Sequence, residues 1–186
     1  MGLTILFVGM REFDSKSVLQ EFLRAAAVPS VILGLETPAT PREFFCVEIR
    51  RDGLEQLNIG ILSFGVGVKP SWVLQGPALL IGFNDHVAVF DTEHLPHVAQ
   101  ITIPTLFWEF LDAPDLPHTC VVCETGVLAI SSRGFVHWRV DTQLISNYKV
   151  DGRTLSIEFE NRSSRTIDLL SGQSRRSSQL TKRLFD

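Results

Sequence analysis

The sequence predicts a mainly β protein, with an α+β arrangement limited to its N-terminal part. Three observations support this class. One segment near the N-terminus has helical periodicity, whereas the chain after Lys69 consists of short apolar runs separated by turn residues. Two of these later segments also match each other at an offset of 40 residues. We therefore expect one N-terminal helix, followed by antiparallel four-stranded meanders in about three units.

Residues 1–70 are predicted to form a β-α-β-β segment that packs on the rest of the chain. The first strand is expected in LTILFVG and the helix in DSKSVLQEFLRAAAVP, where Asp14 or Ser15 can cap the free backbone N–H groups. Pro29 ends this helix because it cannot donate the next hydrogen bond. Further strands are expected in SVILGL, FFCVEIRR and LNIGILSFGVG. The apolar face of the helix comprises Val18, Leu19, Phe22, Leu23 and Ala26.

Residues 71–172 contain the repeated units. The segments LLIGFNDHVAVFD and TCVVCETGVLAIS align without a gap, and each has the pattern strand, polar turn, strand. An apolar or aromatic strand precedes each pair, so that the units start near residues 71, 106 and 144. The fourth strands of the first two units are expected in HVAQITI and FVHWRV. For the third unit we expect the fourth strand in SQLTKRLF, within a basic tail that comprises residues 173–186.

A period near 40 residues with four strands per unit is the pattern of β-propeller blades. The segment GVLAISSRGFVHWRV resembles the blade repeat of the quinoprotein-type (PQQ-like) propellers, and Gly126, Ala129, Gly134 and Trp138 carry the resemblance. More loosely, the resemblance extends over residues 71–172. It implies a blade-like architecture, whereas an unrelated antiparallel meander is the alternative that these residues leave open.

The number of units does not determine whether such blades would close into a ring. Closed propellers usually need at least four blades, and three units fit here. Either the strands within residues 43–66 supply a fourth sheet, or the blades form an open stack, or the chain assembles with copies of itself. In the third unit, Leu155, Ile157 and Phe159 alternate with polar residues, whereas the central strands of the first two units are apolar on both faces. The third unit is therefore predicted to be terminal, with one face in water.

Composition limits the class of protein and the compartment. The 186 residues are 45% hydrophobic, which is typical of one compact domain, and the net charge of −4 argues against nucleic acid as the main partner. The last residues, 171–186, carry a net charge of +3. We expect no membrane association and a cytoplasmic location, since the sequence has neither a signal-peptide pattern nor an apolar run of about 20 residues.

The cysteines are expected to be structural. In HTCVVCETG, Cys120 and Cys123 are three residues apart, so in a strand they point to opposite faces and cannot bind one metal ion. The two intervening valines favour an extended backbone over the tight turn that a Cys-x-x-Cys metal site needs. With Cys46 the count is odd, which favours buried free thiols in a reducing compartment.

Histidines offer the alternative of a metal site. His94 and His97 flank a Leu-Pro pair in a predicted loop, and His97 corresponds to His137 at the 40-residue offset. Equivalent positions in neighbouring units can lie close together, and imidazole is a common metal ligand. This pattern makes a metal-dependent enzyme or a metal-binding protein that uses His94, His97 and His137 the alternative hypothesis.

An aromatic and acidic segment is the best candidate for contacts with a partner. PTLFWEFLDAPDLPH places Phe107 and Trp108 on opposite faces of a strand, next to an acidic turn. Aromatic anchors beside charged groups are frequent in protein interfaces. The predicted partner-binding residues are Trp108, Phe110, Asp112 and Asp115.

Motifs of established chemistries are missing from the sequence, which has no Gly-x-Ser-x-Gly, no Walker loop and no Gly-x-Gly-x-x-Gly. We therefore predict a small non-catalytic binding module that takes no cofactor and whose partner is another protein or itself. An immunity- or antitoxin-like neutralising role and self-association into a homo-oligomer are two forms of this function. Exposed strand edges would favour both, because an unpaired edge can accept another strand.

Overall fold

A computed structural model describes residues 6–35, 40–65, 67–94, 99–113 and 115–176, and confirms a mainly β fold with one N-terminal helix. The N-terminal elements are β1 Leu6–Phe13, α1 Lys16–Ala25, β2 Ser30–Leu33, β3 Glu43–Arg51 and β4 Leu54–Ser63. The middle of the chain forms β5 Ser71–Gln75, β6 Ala78–Phe83, β7 His86–Asp91, β8 Ala99–Thr102, β9 Phe107–Phe110 and β10 Thr119–Cys123. The remaining strands are β11 Gly126–Ile130, β12 Val136–Asp141, β13 Ile145–Asp151, β14 Thr154–Phe159, β15 Ser164–Asp168 and β16 Ser174–Arg176.

The strands form four sheets of four strands each. The second, third and fourth sheets are antiparallel meanders of β5–β8, β9–β12 and β13–β16, which are the three units expected from the repeat. The first sheet has the order β1-β3-β4-β2, so the N-terminal strands do supply a fourth sheet. Its edge strand β2 runs parallel to β4, because α1 carries the chain from β1 back across the sheet.

The sheets stack face to face, and a layer of apolar side chains fills each junction. Ile59 and Phe45 of the first sheet belong to the same buried cluster as Leu79 of the second. The next side chain, Leu80, points to the other face and packs in the cluster between the second and third sheets. A third cluster joins the third and fourth sheets and includes Ile157. Within the described residues the four sheets thus pack in sequence order, first on second, second on third and third on fourth.

Helix α1 covers the outer face of the first sheet. Ser15 is the N-cap, because its hydroxyl accepts a hydrogen bond from the Val18 N–H at 3.3 Å. Leu19 and Leu23 are buried against the sheet, whereas Val18, expected on the apolar face, is 46% exposed. The helix approaches β4 at Gly60, where a Cβ atom would lie 2.8 Å from Leu23 Cδ1. This helix, which has ten residues, is too short to span a membrane, and it is the sole helix of the described ranges.

The fourth sheet closes the other end with a polar face. Along β14 the buried positions alternate with exposed ones, as predicted for a terminal unit. The fourth strand of this sheet is β16, Ser174–Arg176, which pairs with β15. The fourth strand therefore comes from the tail, as expected, and it begins shortly after the turn at Gly172; the predicted segment SQLTKRLF lies within residues 177–186, outside the described part of the chain.

Candidate partner-binding groove

The Cys-x-x-Cys pair lies in β10, and its two thiols point to opposite faces of the third sheet. Cys120 packs toward the fourth sheet, and its Sγ donates a long hydrogen bond of 3.7 Å to the Leu169 carbonyl. Cys123 packs toward the second sheet, and its Sγ donates to the Gly126 carbonyl at 3.2 Å. Burial raises the pKa of the Cys120 thiol to about 12. These cysteines therefore behave as small apolar side chains of the two sheet junctions.

Two of the three predicted histidine ligands, His94 and His137, lie in the described residues, and both are exposed. The His94 side chain is 79% exposed, with its Nδ1 3.2 Å from Asp91 Oδ2, whereas His137 is an exposed residue of β12. His97 lies outside the described residues. Among the residues that are described, no group of three or more histidine, cysteine or acidic side chains could hold a metal ion. A site that includes His97 stays a prediction.

His118, which the sequence analysis did not single out, is a buried structural residue. Its Nε2 lies 2.8 Å from the Leu169 carbonyl oxygen, and a carbonyl can only accept, so the imidazole must donate. The ring contacts the Trp138 indole edge-on, at a centroid distance of 5.9 Å. His118 therefore links the segment before β10 to the fourth sheet. A single histidine two residues before a cysteine gave no signal for this contact in the sequence.

A groove of about 820 Å³ separates the free edges of β5 and β9. The segment between β9 and β10 closes one end of this groove, and a hydrogen bond of 2.9 Å from Thr119 Oγ1 to Gln75 Oε1 connects its two sides. We refer to the cleft lined by residues 71–76, 108–113, 116, 118 and 119 as the edge groove.

Three of the four predicted partner-binding residues line the edge groove. Trp108 and Phe110 are half-buried residues of β9, and Asp112 is exposed directly after the strand. Asp115 is exposed in the same connection but does not line the groove. One wall of the groove therefore carries residues that the sequence predicts to bind a partner. Whether these residues bind a partner stays a prediction.

An irregular register in β9 directs its aromatic side chains. Phe107 pairs with Cys123 and Glu109 pairs with Val122, so that Trp108 is an extra residue at a β-bulge. Phe107 is buried toward the second sheet, where its ring covers Gly82, while Trp108 packs against the cluster of the fourth sheet. Phe107 and Trp108 therefore occupy opposite faces, as predicted, and Phe107 belongs to the core.

The opposite wall of the edge groove comes from β5, which the sequence analysis described only as a strand. Trp72 and Leu74 are 38% and 41% exposed, whereas Val73 between them packs in the cluster of the second and third sheets. The alternation in SWVLQ indicates that Trp72 and Leu74 share one face of the strand and Val73 lies on the other. The pattern did not show which face of the strand remains uncovered, because that depends on the neighbouring sheets.

The edge groove is acidic. Glu109 and Asp112 are exposed residues of its lining, and Asp115 follows in the same connection. None of the described residues that line the groove is a lysine or an arginine. Aromatic and aliphatic residues thus line a cleft whose formal charges are all negative.

Comparisons with known proteins assign no family to this chain. No protein-family model matches the sequence, and no curated protein matches it. Among solved structures, hydrazine synthase of Kuenenia stuttgartiensis is similar, with a TM-score of 0.49 and 16% identity over 75% of this chain and 47% of that one. The computationally designed Ika8 protein has a TM-score of 0.49 and 10% identity, over 76% of this chain and 46% of its own.

HIRA is a third similar structure, with a TM-score of 0.45 and 8% identity over 72% of this chain and 44% of that one. The chain therefore spans less than half the length of each of these three structures. Similarity at this level assigns no function.

Proposed function

We propose that this chain is a non-catalytic binding module that recognises another protein through the edge groove. The observation that carries the proposal is a cleft lined by four large, partly exposed apolar residues: Trp72 and Leu74 from β5, and Trp108 and Phe110 from β9. Aromatic side chains that are partly exposed in a preformed cleft are typical anchors of protein interfaces. Their rigid support by two stacked sheets keeps the entropic cost of binding low.

The charge of the edge groove favours a different protein over a second copy of this chain. In a two-fold symmetric dimer, the groove of one copy would face the groove of the other. Glu109 and Asp112 would then approach the same carboxylates of the partner copy, which is unfavourable for like charges in a partly desolvated interface. A partner with complementary charge avoids this repulsion.

The covered ends of the stack also favour the groove as the binding surface. Helix α1 covers the outer face of the first sheet, and the outer face of the fourth sheet is polar along β14. Apolar surface between two free strand edges therefore offers a partner both apolar contacts and an unpaired backbone edge.

Site-specific photocrosslinking in native lysate tests this proposal. A photoreactive phenylalanine analogue replaces Trp72, which lines the groove, and a matched control carries it at Leu54, which is exposed at the start of β4. We expect one discrete adduct with another protein from position 72 and none from position 54.

Three outcomes would contradict the proposal. The first is the same adduct from both positions, because it would place the contact outside the groove. The second is no adduct from Trp72. The third is an adduct with twice the mass of this chain, which would replace the proposed partner by a second copy.

A further inference from the structure

We propose that the partner inserts an extended, positively charged segment into the edge groove, and that this segment pairs with the free edge of β9. The inference deepens the proposed function and rests on it. It names the chemical class of the ligand, a cationic peptide in β conformation, and the way in which the backbone holds it.

The backbone of β9 provides the edge. This strand is the last of the third sheet and pairs only with β10, so one of its sides has no neighbouring strand in the described sheet. The Leu111 N–H donates to the Cys120 carbonyl at 2.9 Å, which directs the backbone groups of Leu111 toward β10. Because these directions alternate along a strand, the N–H and C=O of Phe110 point toward the groove.

The groove provides contacts for the side chains of an added strand. Successive side chains of such a strand would point to opposite sides, one set toward the junction of the second and third sheets, where Val73 and Phe110 pack, and the other toward Trp108. An added strand would therefore meet apolar side chains on both of its faces. A flat partner surface would leave the backbone groups of Phe110 unpaired.

Charge specifies the composition of the added strand. Glu109 precedes Phe110 and Asp112 follows it by two residues, both in the groove lining, and Asp115 is exposed further along the β9–β10 connection. Lysine or arginine at alternate positions of the ligand would pair with these carboxylates, and apolar residues between them would meet the aromatic walls. Acidic segments would be repelled by the same carboxylates.

Selection from a phage-displayed library of random peptides on the immobilised full chain tests the inference. The enriched peptides are then synthesised, and their affinities are measured by fluorescence anisotropy. We expect positively charged peptides whose Kd increases about tenfold for Glu109→Gln/Asp112→Asn, since two charge-assisted contacts are lost. The matched control, Asp151→Asn/Glu158→Gln, removes two exposed carboxylates of the fourth sheet and should change the Kd by less than about twofold.

Backbone methylation of the selected peptides tests the strand pairing. N-methyl groups on alternate residues in one register should weaken binding by about tenfold or more, and the other register should be tolerated, because only one set of amides faces β9. Equal tolerance of both registers would overturn the strand pairing.

Enrichment of neutral or acidic peptides, or unchanged affinity in the Glu109→Gln/Asp112→Asn variant, would overturn the charge assignment. A synthetic peptide of residues 173–186 that binds more tightly than the selected peptides would overturn the assignment to another protein.

The failure of this inference is distinguishable from failure of the proposed function. A crosslink from Trp72 to another protein, together with no enriched peptide, would mean that the groove binds a folded surface. In that case the binding module stands and the extended segment is wrong. Absence of both the crosslink and the peptides would overturn both proposals.

Discussion

The third and fourth sheets have the same meander topology but bury their side chains differently. In the third sheet, every residue of β10 and β11 is buried. In the fourth sheet, β14 buries Leu155, Ile157 and Phe159 and exposes the residues between them. The third sheet lies between two others, whereas the fourth has a neighbour on one side. The comparison shows that a strand is apolar on both faces when its sheet lies between two others, and on one face when its sheet ends the stack.

The two ends of the stack also differ in how their outer faces are covered. A helix covers the first sheet, and Leu19 packs there against Cys46 and Leu62. The fourth sheet needs no cover because its outer face is polar. Helix α1 occupies the face on which another sheet would have to pack if the stack closed into a ring. The described part of the chain is therefore a stack that ends by capping.

A charged substitution should give the largest difference in the free energy of unfolding between the interior third sheet and the terminal fourth sheet. Val122→Asp places a carboxylate in the fully buried junction of the third and fourth sheets. We expect a loss of more than about 4 kcal/mol in the free energy of unfolding, or no folded protein. The matched control, Ser156→Asp on the exposed face of β14, should change it by less than about 0.5 kcal/mol. Urea unfolding followed by fluorescence measures both, and similar losses would contradict the terminal position of the fourth sheet.

Overpacking a contact between the second and third sheets should cause an intermediate loss in the free energy of unfolding. An added Cβ at Gly82 would lie 2.1 Å from Phe107 Cε2, so Gly82→Ala should cost about 2 kcal/mol by overpacking. The matched control is Gly9→Ala, whose nearest neighbour is the exposed ring of Phe7 at 3.0 Å, and it should cost less than about 1 kcal/mol.

A double-mutant cycle tests the assignment of this contact. Adding Phe107→Leu to Gly82→Ala removes the ring that the new methyl group meets, so the two losses should be less than additive by about 1 kcal/mol. Additive losses in urea unfolding would mean that the two sheets do not meet at this position.

Thiol ionisation should give the most gradual effect, because it accumulates over the pH range between the unfolded and folded pKa values. Burial raises the pKa values of Cys46 and Cys120 to about 12, from about 9 in the unfolded chain. The folded protein therefore retains protons that the unfolded chain loses. This stabilisation is complete below pH 9 and decreases between pH 9 and 12.

We expect Cys120 to contribute a decrease in the free energy of unfolding of about 1 kcal/mol per pH unit in that window. Comparing the pH dependence of urea unfolding of the unmodified protein with that of Cys120→Ala isolates this contribution. Identical slopes for the two proteins would contradict the burial of the thiol between the third and fourth sheets.

Much of the fold could be predicted because its signals are local. Turn residues delimit the strands, and the 40-residue offset relates two of the three meanders. Period-two alternation placed Cys120 and Cys123 on opposite faces and identified the terminal sheet. Part of the groove lining was predicted as candidate binding residues, because Trp108 and Phe110 are aromatic residues next to an acidic turn.

The sequence by itself determined which side chains of each strand share a face and which unit must meet water, because those properties follow from the pleat and the hydrophobic effect. Only the tertiary structure decided that β2 pairs in parallel with β4, that His118 reaches Leu169, and that the edge of β5 faces the edge of β9. Such contacts join segments far apart in the chain, and the period of a single strand carries no information about which edge lies beside it.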